Sequence, residues 1–405
     1  MRADHNAAGR EHAALIQRLG PAIARLAASD ASLVATQVAV SEIPAPTGDE
    51  TARGAFVADR FRTLGLTDVH VDEAGNVHGT RRGTTSDGAV VMCAHLDTVF
   101  PEGTPVGVTR DGAQLCGPGI VDNSRGVAAM LALAESVDGR RVRTQRPIVF
   151  VATVGEEGEG DLRGAKHLFS SLTHPVDACI ALDGAGDDRI VNRALGSRRF
   201  HVTFRGQGGH SWSSFGIANP VHAAGAAASK LASLPLPRTP RTTLSVCRIG
   251  GGISVNAIPT EAWIDVDLRS TNTDVLDACV RDIHEVVKAA VREENYRRAP
   301  STPPLEFDVS TIGQRPSGSV DDDHPLVRAA MQATLGIGRQ PELATASTDA
   351  NVPISLGIPA IAIGAGGRGG GVHTSAEWYD NTEGARGMTR ALTVLVAAAE
   401  LAGSD

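Results

Sequence analysis

The sequence predicts an α/β protein: one domain built on a mostly parallel sheet, with a small α+β domain inserted into it. Three observations carry this. Residues 89–94, 148–154, 179–182 and 359–363 are short continuous apolar runs, the pattern of strands in a sheet covered on both faces. Strand-like and helix-like stretches alternate up to about Arg193, as a mostly parallel sheet requires. From Gly196 the texture changes to strands that alternate polar and apolar residues, interspersed with separate helices, which suits a sheet with one open face. The insertion is placed at residues 196–310, leaving 1–195 and 311–405 as the first domain.

Taken in order, residues 13–40 have helical apolar spacing with few breakers besides Pro21, and Pro44-Ala45-Pro46 stops them. Thr47 is placed to cap a second helix beginning near Asp49. In the insertion, residues 199–205, 242–248 and 262–269 read as alternating strands, and 220–234 and 274–293 as helices. The first pattern resumes with a helix near 324–335 and ends with one near 383–402.

A chain of 405 residues that is 42% hydrophobic can fill two cores. A net charge of −8 without a basic cluster argues against nucleic acid or an anionic membrane as partner. The apolar stretches fall short of a membrane span, and residues 1–20 lack a hydrophobic signal core. The five cysteines are scattered, odd in number and never in a Cys-x-x-Cys, as small buried hydrophobes in a reducing cytoplasm would be.

Each of the four apolar runs leads to acids or a histidine: His95 and Asp97, Glu156 and Glu157, Asp183, and, through a glycine-rich loop, His373. In α/β sheets the ligand site lies outside the carboxyl ends of the strands, so these side chains are expected to converge there. A set rich in carboxylate and imidazole and free of cysteine suits a hydrolytic metal centre. His95 and Asp97, two apart on an extended chain, point to the same side, so Asp97 can hold the ring of His95. Alone, that pair also fits a turn after a strand. Asp122, ahead of the apolar helical stretch 127–137, alone reads as a helix cap, although a cap does not need the Gly117-Pro118-Gly119 approach. Adjacent Glu156 and Glu157 repel and are costly at a strand end without a cation; with Glu159 and Asp161 nearby, an acidic loop is the other reading.

Counted together, the candidates give two metals: His95 and Asp183 on one, Glu157 and His373 on the other, and Asp122 bridging. Two metals ~4 Å apart share a water and lower its pKa towards ~7. Glu156 is left as the general base that takes the water's proton and returns it to a leaving nitrogen, which makes the reaction hydrolysis of an amide. Gly364-Ala365-Gly366-Gly367-Arg368-Gly369 fits the Gly-x-Gly-x-x-Gly pattern, but no apolar helix follows, as a dinucleotide site requires. No Gly-x-Ser-x-Gly elbow is present. A non-catalytic relative that keeps the fold for binding would have lost Glu156 or a ligand, and neither is lost.

On these residues the chain resembles the co-catalytic di-zinc amidohydrolase and peptidase family. That family includes aminoacylase, acetylornithine deacetylase, succinyl-diaminopimelate desuccinylase, glutamate carboxypeptidases and peptidase T. The resemblance runs from Ile43-Pro44-Ala45-Pro46-Thr47-Gly48-Asp49-Glu50 to the last helix. Its specific motifs are His95-Leu96-Asp97-Thr98-Val99 and Gly155-Glu156-Glu157-Gly158. It implies the same metal assignments, two zinc ions per subunit with Co²⁺ or Mn²⁺ as alternatives, Asp97 behind the ligands, and a cis peptide after Asp122. It further implies that 196–310 is a lid and dimerisation domain, so a homodimer is expected. Gly208-Gly209-His210-Ser211 resembles the motif whose histidine reaches the partner's active site and stabilises the oxyanion. Asn256, after Gly250-Gly251-Gly252, resembles an asparagine facing substrate, and Arg269 an arginine holding a substrate carboxylate.

The branch signals disagree. Residues 95–104 resemble glutamate carboxypeptidases, whereas 158–164 and 347–351 resemble peptidase T. Position 123 is asparagine where an acid or methionine is frequent. The expectation is a cytoplasmic metallohydrolase that cuts the amide of a di- or tripeptide, or else of an N-acyl amino acid.

Overall fold

A computed structural model describes residues 2–139, 141–172 and 174–402. The chain divides into two compact units, one of residues 1–194 and 319–405, the other of 195–318.

In the larger unit the apolar runs become the middle of a twisted sheet. Its strands are β1 (Thr67–Val71), β2 (Val77–Arg81), β3 (Ala89–His95), β4 (Ile148–Thr153), β5 (Val176–Leu182), β6 (Arg189–Ala194), β7 (Glu342–Ala346) and β8 (Ala360–Ile363). They lie in the order β1-β2-β4-β3-β5-β8-β6, with β7 beside β6. The middle strands β4, β3, β5 and β8 run parallel, and every residue of β3 and β8 is buried. Continuous apolar sequence follows from burial on both faces.

Beyond that middle the sheet is mixed: β1 with β2, β2 with β4, and β8 with β6 pair antiparallel. The β1–β2 reversal is a tight turn in which Asp72 Oδ1 accepts from the amides of Ala74, Gly75 and Asn76. Such a short link permits only an antiparallel neighbour.

Helices cover the sheet. The stretch predicted as one helix divides at Ser29 into Arg2–Ala28 and Asp30–Ser41. Ser29 Oγ donates to the Leu26 carbonyl, a local bond that competes with helix continuation. The next helix, Thr51–Thr63, begins after the position Thr47 would cap. Thr47 Oγ1 donates instead to Asp97 Oδ2, 2.9 Å away. Helix Ser124–Ser136 is capped by Asn123, whose side chain accepts from the Gly126 amide, and not by Asp122. Helices Arg163–Ser171, Pro325–Gly336, Asn351–Ser355 and Gly384–Ala399 also belong to the unit.

The smaller unit is an antiparallel sheet of strands Thr242–Gly251, Glu261–Ser270, Gly196–Arg205 and Glu306–Arg315, in that order. Helices Pro220–Ala232 and Thr273–Arg297 pack with it around a separate apolar core. The unit runs to Gly318 because strand Glu306–Arg315 pairs with Gly196–Arg205 from Arg205 to Ser197. Among the described residues no single helix is long and apolar enough to cross a membrane.

Candidate metal centre

Strands β3, β4 and β5 deliver His95, Glu156, Glu157 and Asp183 to one end of the large sheet. Two loops add Asp122 and His373. His95, Asp122 and Asp183 form one group of converging donor atoms, Asp122, Glu157 and His373 a second, and His95, Glu156 and Glu157 a third. The first two share Asp122, and its two oxygens face different histidines. Oδ1 lies 3.0 Å from His95 Nε2, and Oδ2 lies 3.1 Å from His373 Nε2. His373 Nε2 is also 2.9 Å from Glu157 Oε1.

The tautomer of His95 follows from its other nitrogen. Nδ1 donates to the Asp97 carbonyl at 3.1 Å, which leaves the Nε2 lone pair directed at the group. Asp97 therefore holds the ring mainly through its backbone, since its carboxylate is 3.5 Å away. That carboxylate does other work: Oδ1 accepts from the Glu156 amide and Oδ2 from the Glu157 amide, each at 2.9 Å. Burial works to raise its pKa, but His95 and the two amides outweigh this and hold it at about 2.

Electrostatics in the cluster are those of acids and imidazoles forced together. Burial, and then the nearby charge of Asp122, push Asp183 up to about 7. Asp122 itself is held well below the ordinary range, because His373 and His95 outweigh its burial. Asp122 and Glu157 raise His373 to about 10. Glu156 and Glu157 are 5% and 6% exposed, so neither is an ordinary surface acid. The buried Asp122 Oδ1 lies 3.0 Å from His95 Nε2 without a well-formed hydrogen bond to it, an acceptor aimed into the group. Three carboxylates and two imidazoles in this arrangement fit two divalent cations of borderline hardness. His373 holds its place with φ +65, a left-handed conformation that costs a non-glycine residue on the order of 1–2 kcal/mol. The Asp122–Asn123 peptide is cis.

Several supports were not read from the sequence. The amides of four successive residues, Val154 to Glu157, are taken by side-chain oxygens of Asn76, Glu50 and Asp97. Glu377, fully buried, accepts from the amides of Gly119, Val121 and Asp122. Asn123 ties the Asp122 loop to the Asp183 loop: its Nδ2 donates to the Leu182 carbonyl, and its Oδ1 accepts from Gly126 and Gly184. Asp97 is a candidate in the sequence, Glu50 closes the stretch on which the resemblance begins, and Asn123 is marked as the unusual residue after Asp122; Asn76 and Glu377 carry no signal.

The other three candidates belong to the smaller unit. Its own geometry brings His210 and Asn256 together, because Gly209 and His210 pair with Ile258 and Ala257, and the Ser211 amide donates to the Asn256 carbonyl. His210 Nδ1 accepts from the amides of Trp212 and Ser213, which places its proton on Nε2. Arg269 lies opposite Ser197 near the end of its strand, about 25 Å along from Glu261, and donates to Asp267.

The sequence pattern of peptidase family M20/M25/M40 matches residues 91–400. The chain belongs to this family. Over 270 residues it is 28% identical to a succinyl-diaminopimelate desuccinylase of Corynebacterium glutamicum, covering 63% of this chain and 70% of that one. A tripeptidase of Staphylococcus aureus shares the fold with a TM-score of 0.74 at 22% identity, over 90% of this chain and 98% of that one. A dinuclear metal-binding peptidase of the M20 family from Bacillus subtilis aligns with a TM-score of 0.68 at 18% identity, over 93% and 99%. As an M20 member the chain is a metal-binding hydrolase of amide bonds.

Proposed function

We propose that this M20 hydrolase cleaves the amide bond of a di- or tripeptide, using two zinc ions held by His95 and Asp183, by Glu157 and His373, and by Asp122 between them. The observation that carries the reading is Asp122, whose two oxygens belong to two donor groups and face two histidines. When bound, the two ions would supply Lewis acidity for the scissile carbonyl and acidify a water, a role Co²⁺ or Mn²⁺ would also fill.

Glu156 accepts a proton from the attacking water as its oxygen adds to the carbonyl carbon. It then delivers that proton to the nitrogen as the C–N bond breaks, giving an amine and a carboxylic acid whose remaining proton passes to the amine, so that carboxylate and ammonium leave. Asp97 sets the position of Glu156 through the backbone amide. With its proton on Nε2, His210 is a neutral hydrogen-bond donor suited to a developing oxyanion, which in a homodimer would be that of the partner's site. Asn256, beside His210, and Arg269, at the far end of strand Glu261–Ser270, would each contact substrate with the smaller unit acting as a lid, in two different sites of the homodimer. The proposed setting is the cytoplasm.

A second reading, an N-acyl amino acid deacylase, is favoured by the similarity to the desuccinylase. One experiment decides between them. Zinc-loaded protein is incubated with a mixed pool of dipeptides, tripeptides and N-acyl amino acids, beside a chelator-treated control, and read by mass spectrometry. Chelator-sensitive loss of peptides is expected, loss of acyl amino acids alone would favour the second reading, and no loss from protein holding two metals would overturn both.

A further inference from the structure

The glycine-rich stretch 364–371, which no dinucleotide explains, borders a cavity of about 660 Å³ beside the metal centre. Its lining includes Asp122 and Asp183 together with Arg189, Arg339, Arg368 and the pair Asp187–Asp188. We propose that it is a subsite for a substrate carboxylate, with Arg368 as its anchor; this rests on the amide-hydrolase reading above.

The charges lining the cavity separate by what already holds them. Arg339 is engaged, with Nε 3.1 Å from both oxygens of Asp187 and Nη2 on Glu383 at 2.6 Å. Arg189 Nη2 donates to the Thr345 carbonyl. Asp187 and Asp188 also act on the guanidinium of Arg390, which is fully buried behind the wall and donates to the Arg189 carbonyl. Arg368 is exposed, and its guanidinium makes no hydrogen bond or ion pair among the described residues. Its charge acts on the cross-strand neighbour Asp380, whose Oδ1 accepts from the amide and hydroxyl of Thr382, but the two form no ion pair.

The backbone around Arg368 explains the glycines. A Cβ at Gly367, where φ is +71, would run into the Tyr379 hydroxyl, and one at Gly369 would sit 2.6 Å from Val121. The loop therefore packs directly against the residue before Asp122, and Arg368 is the only side chain in 364–371 larger than a methyl group. A planar fork on a tightly packed loop, next to the residues that would hold the metal ions, suits bidentate recognition of a carboxylate. That carboxylate could come from the acyl or amino-terminal residue, or be the α-carboxylate of the leaving amino acid.

The test compares wild type with Arg368→Met and Arg368→Lys on matched substrates, with metal content measured for each. For a peptidase the series is Glu-Ala, Gln-Ala and Glu-alaninamide; for a deacylase it is N-succinylalanine, N-butyrylalanine and N-succinylalaninamide. Arg368→Met is expected to raise KM roughly tenfold to a hundredfold for the substrate carrying the recognised carboxylate. It should change kcat little, leave two metals bound and spare the substrate lacking that group, with Arg368→Lys intermediate. Sparing of Gln-Ala or N-butyrylalanine assigns the acyl side, and sparing of the alaninamides assigns the leaving side. Equal effects on all three substrates, or none on any, overturn the subsite. If wild type cleaves neither series the substrate reading fails, and the subsite is judged by succinate. A melting-temperature rise with succinate that Arg368→Met abolishes supports it, and no rise in wild type overturns it.

Discussion

Glu156 and Glu157 share an anchor, since both their amides end on the carboxylate of Asp97, yet their side chains are assigned different work. This separation makes Glu156 testable without disturbing its neighbour. Replacing Glu156 with alanine leaves its amide on Asp97 and leaves Glu157 beside His373, so two metals per chain are expected by elemental analysis. Turnover should fall by about 10²–10⁴, the range for removing a general base. Near-normal turnover would dismiss Glu156 from that role. His210 is separable in another way, because its contacts lie wholly in the smaller unit. His210→Ala should lower kcat while the metal content stays that of wild type, and loss of metal would show that His210 is a ligand.

Loops carry most of the candidate ligands, and they are fixed by distant carboxylates. Glu377 takes three amides of the loop that presents Asp122. Glu377→Ala would leave those buried donors to water or to nothing, costing roughly 1–3 kcal/mol in chemical denaturation. It should also weaken metal binding by about 10–100-fold in a chelator-competition titration. Unchanged metal affinity would mean that the Asp122 loop is held by other means. The same loops mark where the sequence stops being legible. His95, Asp97, Glu156, Glu157 and Asp183 could be found because continuous apolar strands end at them. The supporting roles of Glu377 and Glu50 could not, because the amides they hold lie 255 to 258 and 105 residues away. The capping role predicted for Thr47 failed for a related reason: its hydroxyl is drawn to Asp97, 50 residues on. Antiparallel edges carry no such mark, since short half-exposed strands such as β1 lack the apolar run that marks the middle of the sheet.

At the scale of the molecule, each unit has its own apolar core, and the candidate metal ligands all belong to the larger. Without cations, Asp122, Glu157 and Asp183 are like charges gathered at one sheet end, and Asp183 shows the cost in its pKa of about 7. Ions that bind only the folded state stabilise it by RT ln(1 + [L]/Kd), about 2.7 kcal/mol at one hundred times Kd. That gain should fall on one unit. Of the three tryptophans, Trp212 and Trp263 lie in the smaller unit and Trp378 in the larger. In a Trp378→Phe variant, fluorescence therefore reports the smaller unit alone, while calorimetry sees both. A chelator is expected to lower the melting temperature of one calorimetric transition by several degrees and to leave the fluorescence midpoint of Trp378→Phe in place. If the fluorescence midpoint moves down with the calorimetric one, the two cores unfold as a single cooperative unit, and the stabilisation by metal is a property of the whole chain.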